Sequence, residues 1–300
     1  MPHKIILNGK SSASQPLREA VARLRQEGFE VDVEVTWEAG DAARFARACA
    51  ANPATRVIAA GGDGTVNEVI NAMIASRAGN ALGIVPFGTA NDFAAGSGIP
   101  LGDPYAALLL ALSGQARAVD IGIVNGRHFI NLASGGFGAD VTAATDPALK
   151  RALGGAAYSL MALVMAMRAT PLEVVIETPG QRFEGPVLML AVGNGRQAGG
   201  GIRMTPRARI DDGLLDLVIV RDHPHARFEN LLADLIDLKR HGADHFDYIQ
   251  AASIEIVSRT PIQFNLDGEP MQADRFVFSV APRALYVVLP EPCELLLGTV

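Results

Sequence analysis

The 300-residue chain has two cysteines and one tryptophan, and only 19% of it is charged. Cys49 and Cys293 lie far apart with no metal-ligand spacing, which excludes a cysteine zinc site and a disulfide scaffold. Both are expected as buried or free thiols in a reducing compartment. Long apolar runs are also missing. The longest uncharged one, Leu153 to Met167, is shorter than the roughly 20 residues that span a bilayer. The opening MPHKIILNGKSS carries too short an apolar stretch for a secretory leader, so a cytoplasmic protein is expected. A basic excess is absent too. With 26 Lys and Arg against 32 Asp and Glu, the formal charge is −6. No strong basic face is then available for nucleic acid or for adhesion to anionic lipid.

The remaining chain is rich in short apolar segments. It is too long for one ordinary core and suits two domains. In the first third, strands alternate with helical patterns: KIILN, then 16–27, FEVDVEVTW, 41–51, RVIAA, 66–75 and ALGIVP. That alternation predicts a parallel sheet with crossover helices, whose ligands bind beyond the carboxyl ends of the strands. From about residue 116 strands dominate, with turn signals at Asn125-Gly126, Asp212-Gly213 and Asp267-Gly268. This predicts a mainly antiparallel β domain with helical inserts near 147–168 and 225–240. The expected division is 1–116, 117–290 and a tail, 291–300.

Two loops at successive strand ends carry candidate chemistry. AAGGDGTVNEVI, Ala59 to Ile70, has three glycines within four positions. It is not a dinucleotide fingerprint, because the third glycine is missing and the loop follows the third strand. Gly9-Lys10-Ser11 copies the end of a Walker loop, but Lys4 stands where its first glycine belongs. What survives is a strand-to-helix junction whose glycines let the backbone approach an anion. Asp63 inside it would repel phosphate unless a cation or a hydrogen-bond donor holds it. The bland alternative is a plain turn with Thr65 as helix cap. PFGTANDFA, Pro86 to Ala94, follows the next strand and offers Gly88, Thr89, Asn91 and Asp92. Thr36, ending the second strand, belongs to the same expected edge.

The β region has two further stretches. GNGRQAGGGIRMTPRARIDDGLLDL joins many glycines and four arginines to an Asp-Asp-Gly turn. FNLDGEP sets Glu269 close to Asp267, so a carboxylate pair with a raised pKa could supply a general base. A hairpin turn is the plain reading of each. His223 and His225 flank Pro224, and His241 and His245 have i, i+4 spacing but with Gly242 between them and no glutamate beside the first, so they read as a solvated helix end.

GGDGTVNEVINA with PFGTANDFA resembles the diacylglycerol kinase catalytic-domain family, which includes sphingosine and ceramide kinases. LNGKSS, VTWEAGDA, NLASGGFGAD, GNGRQAGGG, IDDGLLDL and FNLDGEP extend the resemblance to YegS-type bacterial lipid kinases over nearly the whole chain. It implies a three-layer α/β domain similar to phosphofructokinase and NAD kinase, facing a C-terminal β-sandwich, with ATP in the cleft between them. By position it implies phosphate contacts from Gly61, Gly62, Asp63, Gly64, Thr65, Val66 and Asn67, with hydroxyls of Thr36 and Thr89. It implies a structural Mg²⁺ or Ca²⁺ held by Asp212 and the carbonyls of Arg209 and Leu214. Glu269 matches the family's proton acceptor, and Asp63 is expected to be needed for transfer. The acceptor implied is a glycerolipid hydroxyl, of the phosphatidylglycerol or diacylglycerol class, met transiently at a membrane surface. The rivals are an NAD-kinase-like enzyme with a soluble substrate and an ATP-binding module without transfer.

Overall fold

The computed structural model describes residues 3–77, 79–137, 171–222 and 246–297. His223, His225, His241, His245, the segment Leu153 to Met167 and both expected helical inserts lie outside these residues. The chain divides into two compact units, Met1–Ile121 with Pro282–Val300, and Gly122–Ala281. Among the described residues, no helix is long and apolar enough to cross a membrane.

In the first unit, β1 (His3–Leu7), β2 (Val31–Val35), β3 (Arg56–Gly61) and β4 (Ala81–Pro86) are parallel, in the order β2-β1-β3-β4. Leu7 is level with Val35 and Ala60, and Gly61 with Pro86. The four strands therefore end at one edge, and the loops after them share it. α1 (Gln15–Gln26) starts where Ser14 accepts the Leu17 N–H, has Pro16 in its first turn, and buries Leu17, Ala20, Val21 and Leu24. Gly28, at φ +92°, follows its end. α2 (Asp41–Cys49) packs on α3 (Asp63–Ala75) and on β1. α4 (Asp92–Ser97) is short. α5 (Pro104–Ser113) was not foreseen: it is apolar all round, so no helical stripe announces it. Its cap is nevertheless regular, Asp103 accepting the Ala106 N–H at 3.0 Å ahead of Pro104. Ile5 and Ile58 pack with Leu17, Leu24 and Leu108 beside α1 and α5. Ile6 and Ala59, one residue on in their strands, face the opposite way. Each fully buried aliphatic here contributes about 1.5–3 kcal/mol.

In the second unit the strands are antiparallel and longer than the sequence suggested. β5 (Ala116–Val124) enters it and hairpins at Asn125-Gly126 into β6 (Arg127–Phe129). β7 (Leu132–Phe137) follows separately, because RHFINLAS breaks at Ile130 and Asn131. β8 (Leu172–Thr178) and β9 (Gln181–Gly193) pair, then come the small β10 (Gln197–Ala198) and β11 (Ile202–Arg203). β12 (Leu215–Arg221) lies between β9 and β13 (Phe246–Ala251). ASIEIVS and PIQFNLD are one strand, β14 (Ser253–Leu266), with a register shift between Val257 and Ile262 that accommodates Pro261. Likewise RFVFSVA and ALYVVLP are one strand, β15 (Glu269–Val288). Its last residues return to the first unit, where Tyr286 and Val287 pair parallel with β4. Aromatics are scarce, but Phe264, Phe276 and Phe278 concentrate in this core with centroids 4.6 to 6.3 Å apart.

Candidate active site

The first unit assembles its candidate site at the common strand edge. β3 ends on Gly61, and α3 begins at once with Asp63, its cap residue being Gly62. Thr65 is therefore inside the first turn and not the cap that the bland reading proposed. Its hydroxyl accepts from Asn8 Nδ2 at 2.8 Å, which ties the loop after β1 to α3. Thr36 holds that same loop from the other side, its Oγ1 accepting the Gly9 N–H at 3.0 Å. Val66 is buried, and its N–H goes to the Gly62 carbonyl at 3.1 Å, so both help build the helix. Asn67 is buried as well, and its carbonyl and Oδ1 accept from Asn71. Thr89 is exposed in the loop after β4.

Asp63 is held by donors. Its carboxylate accepts the Asn91 N–H at 2.9 Å, and the backbone N–H dipoles of Asp63, Asp92 and Phe93 also act on it. Burial pushes its pKa above the ordinary value, and those four N–H groups oppose the shift. Asn91, at φ +51°, offers α4 no side-chain cap of its own, and the Asp63 carboxylate, accepting the Asn91 N–H, stands at the start of that helix from a neighbouring loop. Asn91 in turn closes its own loop: its Oδ1 accepts the Gly88 N–H at 2.7 Å and its Nδ2 reaches the Gly88 carbonyl at 2.8 Å. The two glycine loops then touch backbone to backbone. A Cβ on Gly88 would lie 2.5 Å from Gly62 Cα, and one on Gly62 would lie 2.9 Å from Gly88 Cα. Gly88→Ala should therefore push the loops apart, lowering stability by about 1–3 kcal/mol in urea unfolding. Gly28→Ala, which meets nothing within 4 Å but sits at positive φ, separates strain from steric clash.

Three distant motifs meet in the second unit. Asp267 and Gly268 both take positive φ, +47° and +99°, as a tight Asp-Gly hairpin needs. The buried Asp267 carboxylate accepts the N–H groups of Ile130, Asn131 and Leu132 at 2.7 to 3.1 Å. Asn131 then donates to the Gln197 carbonyl at 2.7 Å, and Asn194 to the Ile130 carbonyl at 2.7 Å. Thus NLAS, GNGRQ and NLDGE form one knot. The expected pairing of Asp267 with Glu269 as an acid-base couple is corrected: Asp267 is a backbone clamp. Glu269 is exposed at the start of β15.

The Asp-Asp-Gly turn is closed by Asp212 Oδ1, which accepts the Leu214 N–H at 3.0 Å, with Gly213 at φ +74°. Beyond it Asp216 is fully buried. One oxygen accepts from the Tyr248 hydroxyl and from Gln250 at 3.2 Å, while Oδ2 has no partner among the described residues. Burial, with Asp212's charge assisting, lifts the Asp216 pKa to about 6, and burial beside Asp216 raises Tyr248. Among the described residues no group of three or more His, Cys, Asp or Glu could hold a metal.

Similarity accounts for nearly all of the chain. Residues 2–124 match the family profile described as diacylglycerol kinase catalytic domain. Residues 131–289 match the YegS C-terminal NAD kinase beta sandwich-like domain. A probable lipid kinase YegS-like from Chromohalobacter salexigens is 45% identical, over 97% of this chain and 94% of its own. The chain belongs to the diacylglycerol kinase family, in its YegS-like branch. It is therefore an enzyme, a kinase. Another YegS-like relative, from Yersinia enterocolitica, is 44% identical over 99% of this chain and 100% of its own. The crystal structure of a putative diacylglycerol kinase from Bacillus anthracis superposes with a TM-score of 0.80 at 26% identity. It covers 97% of this chain and 95% of that one. The fold expected from the sequence, an α/β unit followed by an antiparallel β-sandwich of the YegS type, is that of this family. Asn8, Asn91 as loop pin and Asp267 as clamp were not singled out by chemistry. Their signal is only positional: Asn8 and Asp267 directly follow β1 and β14, and Asn91 directly precedes α4.

Proposed function

We propose that this kinase transfers the γ-phosphoryl group of ATP to the hydroxyl of a glycerolipid, of the phosphatidylglycerol or diacylglycerol class. The observation that carries the nucleotide half is the contact of the two glycine loops, pinned by Asp63, at the edge where parallel sheets bind ligands. The lipid half is supported by the names of the relatives, probable lipid kinases and a putative diacylglycerol kinase. Backbone amides of the Gly61–Thr65 turn, with the hydroxyls of Thr36 and Thr89, face phosphate oxygens in this reading. Glu269 accepts the proton of the lipid hydroxyl. The oxygen bonds to the γ-phosphorus as the bond to the β–γ bridging oxygen breaks, and ADP leaves. Bound Mg²⁺ supplies neutralisation of the charge on the transferring group.

A second, structural Mg²⁺ or Ca²⁺ fits the turn formed by Arg209, Asp212 and Leu214. The reading is supported by the buried Asp216, whose Oδ2 has no partner among the described residues and which feels the charge of Asp212; a hard cation there would relieve that charge. The enzyme works in the cytoplasm and meets its acceptor transiently at a membrane surface. Labelled ATP, Mg²⁺ and a total lipid extract test the reading. Label is expected in the organic phase, with mass spectrometry naming the acceptor. Label in NADP instead favours the soluble-substrate rival, and tight ATP binding with no labelled acceptor favours a sensing module.

A further inference from the structure

Trp37 is the chain's only tryptophan and is 95% exposed. Its backbone is nevertheless fixed. Asp41 Oδ2 accepts the N–H groups of Trp37 at 2.8 Å and Glu38 at 3.1 Å, and Arg44 holds the other oxygen at 2.5 Å. The indole stands on the wall of a cavity of about 590 Å³, together with Asn8, Lys10, Thr36, Thr65 and Glu68. That volume suits a small ligand. Thr65 belongs to the first turn of α3, directly after the glycines, and Asn8 bonds to it. The cavity therefore reaches the first turn of the helix that follows the glycines, inside the first unit. A ligand with phosphates at that turn has space beside it for its remaining part.

We propose that Trp37 is the stacking platform for the purine base of the phosphoryl donor. The inference rests on the nucleotide reading above and adds to it the residue that recognises the base. A planar heterocycle covers an indole face that otherwise stays in water, and base–aromatic stacking is strong and tolerant of sequence context. An exposed tryptophan can also anchor a protein at a bilayer interface. The cavity argues for the base: the indole shares its wall with Thr65, in the first turn of the helix that follows the glycines, so a ring stacked there belongs to a ligand held at that turn.

The experiment uses the full chain, because selective tryptophan excitation reads Trp37 alone. Mg-ATP, tripolyphosphate and phosphatidylglycerol-containing vesicles are titrated separately, with affinities measured by calorimetry. ATP should quench the emission, while tripolyphosphate should bind without doing so. Trp37→Ala should weaken ATP about tenfold, as a rise in KM for ATP with little change in kcat. Trp37→Phe should recover most of that loss, and tripolyphosphate affinity should be equal in all three proteins. Unchanged ATP affinity in Trp37→Ala, equal quenching by tripolyphosphate, or an emission change with vesicles but not with ATP each overturns the role of Trp37 alone. A parent chain that binds neither ATP nor tripolyphosphate overturns this role and the nucleotide reading together.

Discussion

Glu269→Gln is expected to fold as the parent does and to transfer phosphate about 10²–10⁴ times more slowly, the usual loss for a missing general base. The side chain is exposed and outside the knot of backbone bonds made by Asp267. Its replacement by an isosteric amide should shift stability by no more than about 0.5 kcal/mol. ATP affinity should be unchanged, since only the acceptor's proton is involved. Asp267→Ala supplies the contrast. It leaves three buried N–H groups without their acceptor and should lower stability by about 3 kcal/mol or more. A loss of activity there without loss of stability would place Asp267, and not Glu269, at the reacting atoms. Full lipid phosphorylation by well-folded Glu269→Gln removes Glu269 from the mechanism.

The sequence exposed the site where a residue type has few structural uses, and hid it where a residue is used through space. Glycines in AAGGDGTVNEVI announced a strand-to-helix junction because periodicity changes there. The same letters did not show that Gly62 lies against Gly88, since that contact depends on the parallel register of β3 and β4. The strand alternation was readable in β1, β3 and β4, each buried and bounded by turn residues. In β14 and β15, Pro261 and Pro282 read as breaks, whereas one strand absorbed its proline in a bulge and the other carried on. Asp267 shows the limit most sharply. Beside Glu269 in sequence it suggested a titrating pair, but the positive φ of both turn residues directs its carboxylate onto the chain at Ile130–Leu132.

Asp63→Ala is expected to reduce kcat/KM at least about 100-fold, the scale of a misplacement of roughly 1 Å at the reacting groups. Two roles can explain such a loss, and stability measurements without nucleotide or metal separate them. If Asp63 serves as the pin between loops, its removal deprives the Asn91 N–H of its acceptor and the start of α4 of a facing carboxylate. The first unit should then lose about 2–3 kcal/mol. If its use is to hold a cation, removing a carboxylate that burial already disfavours should leave the metal-free chain as stable or more so, and the defect should appear only with Mg-ATP. Titration gives an independent sign. The folded-state pKa is raised, so the folded form binds its proton more tightly than the unfolded form. Stability attributable to Asp63 therefore falls as pH rises from the ordinary value of 3.8 to the raised one, and is flat above it. Asp63→Asn lacks that decline. It keeps one oxygen acceptor and turns an NH₂ group toward backbone donors, so its activity should lie between Asp63→Ala and the parent. Parent-like activity in Asp63→Asn would show that the charge is not needed, and would shift the pin to Asn91 and its two bonds with Gly88.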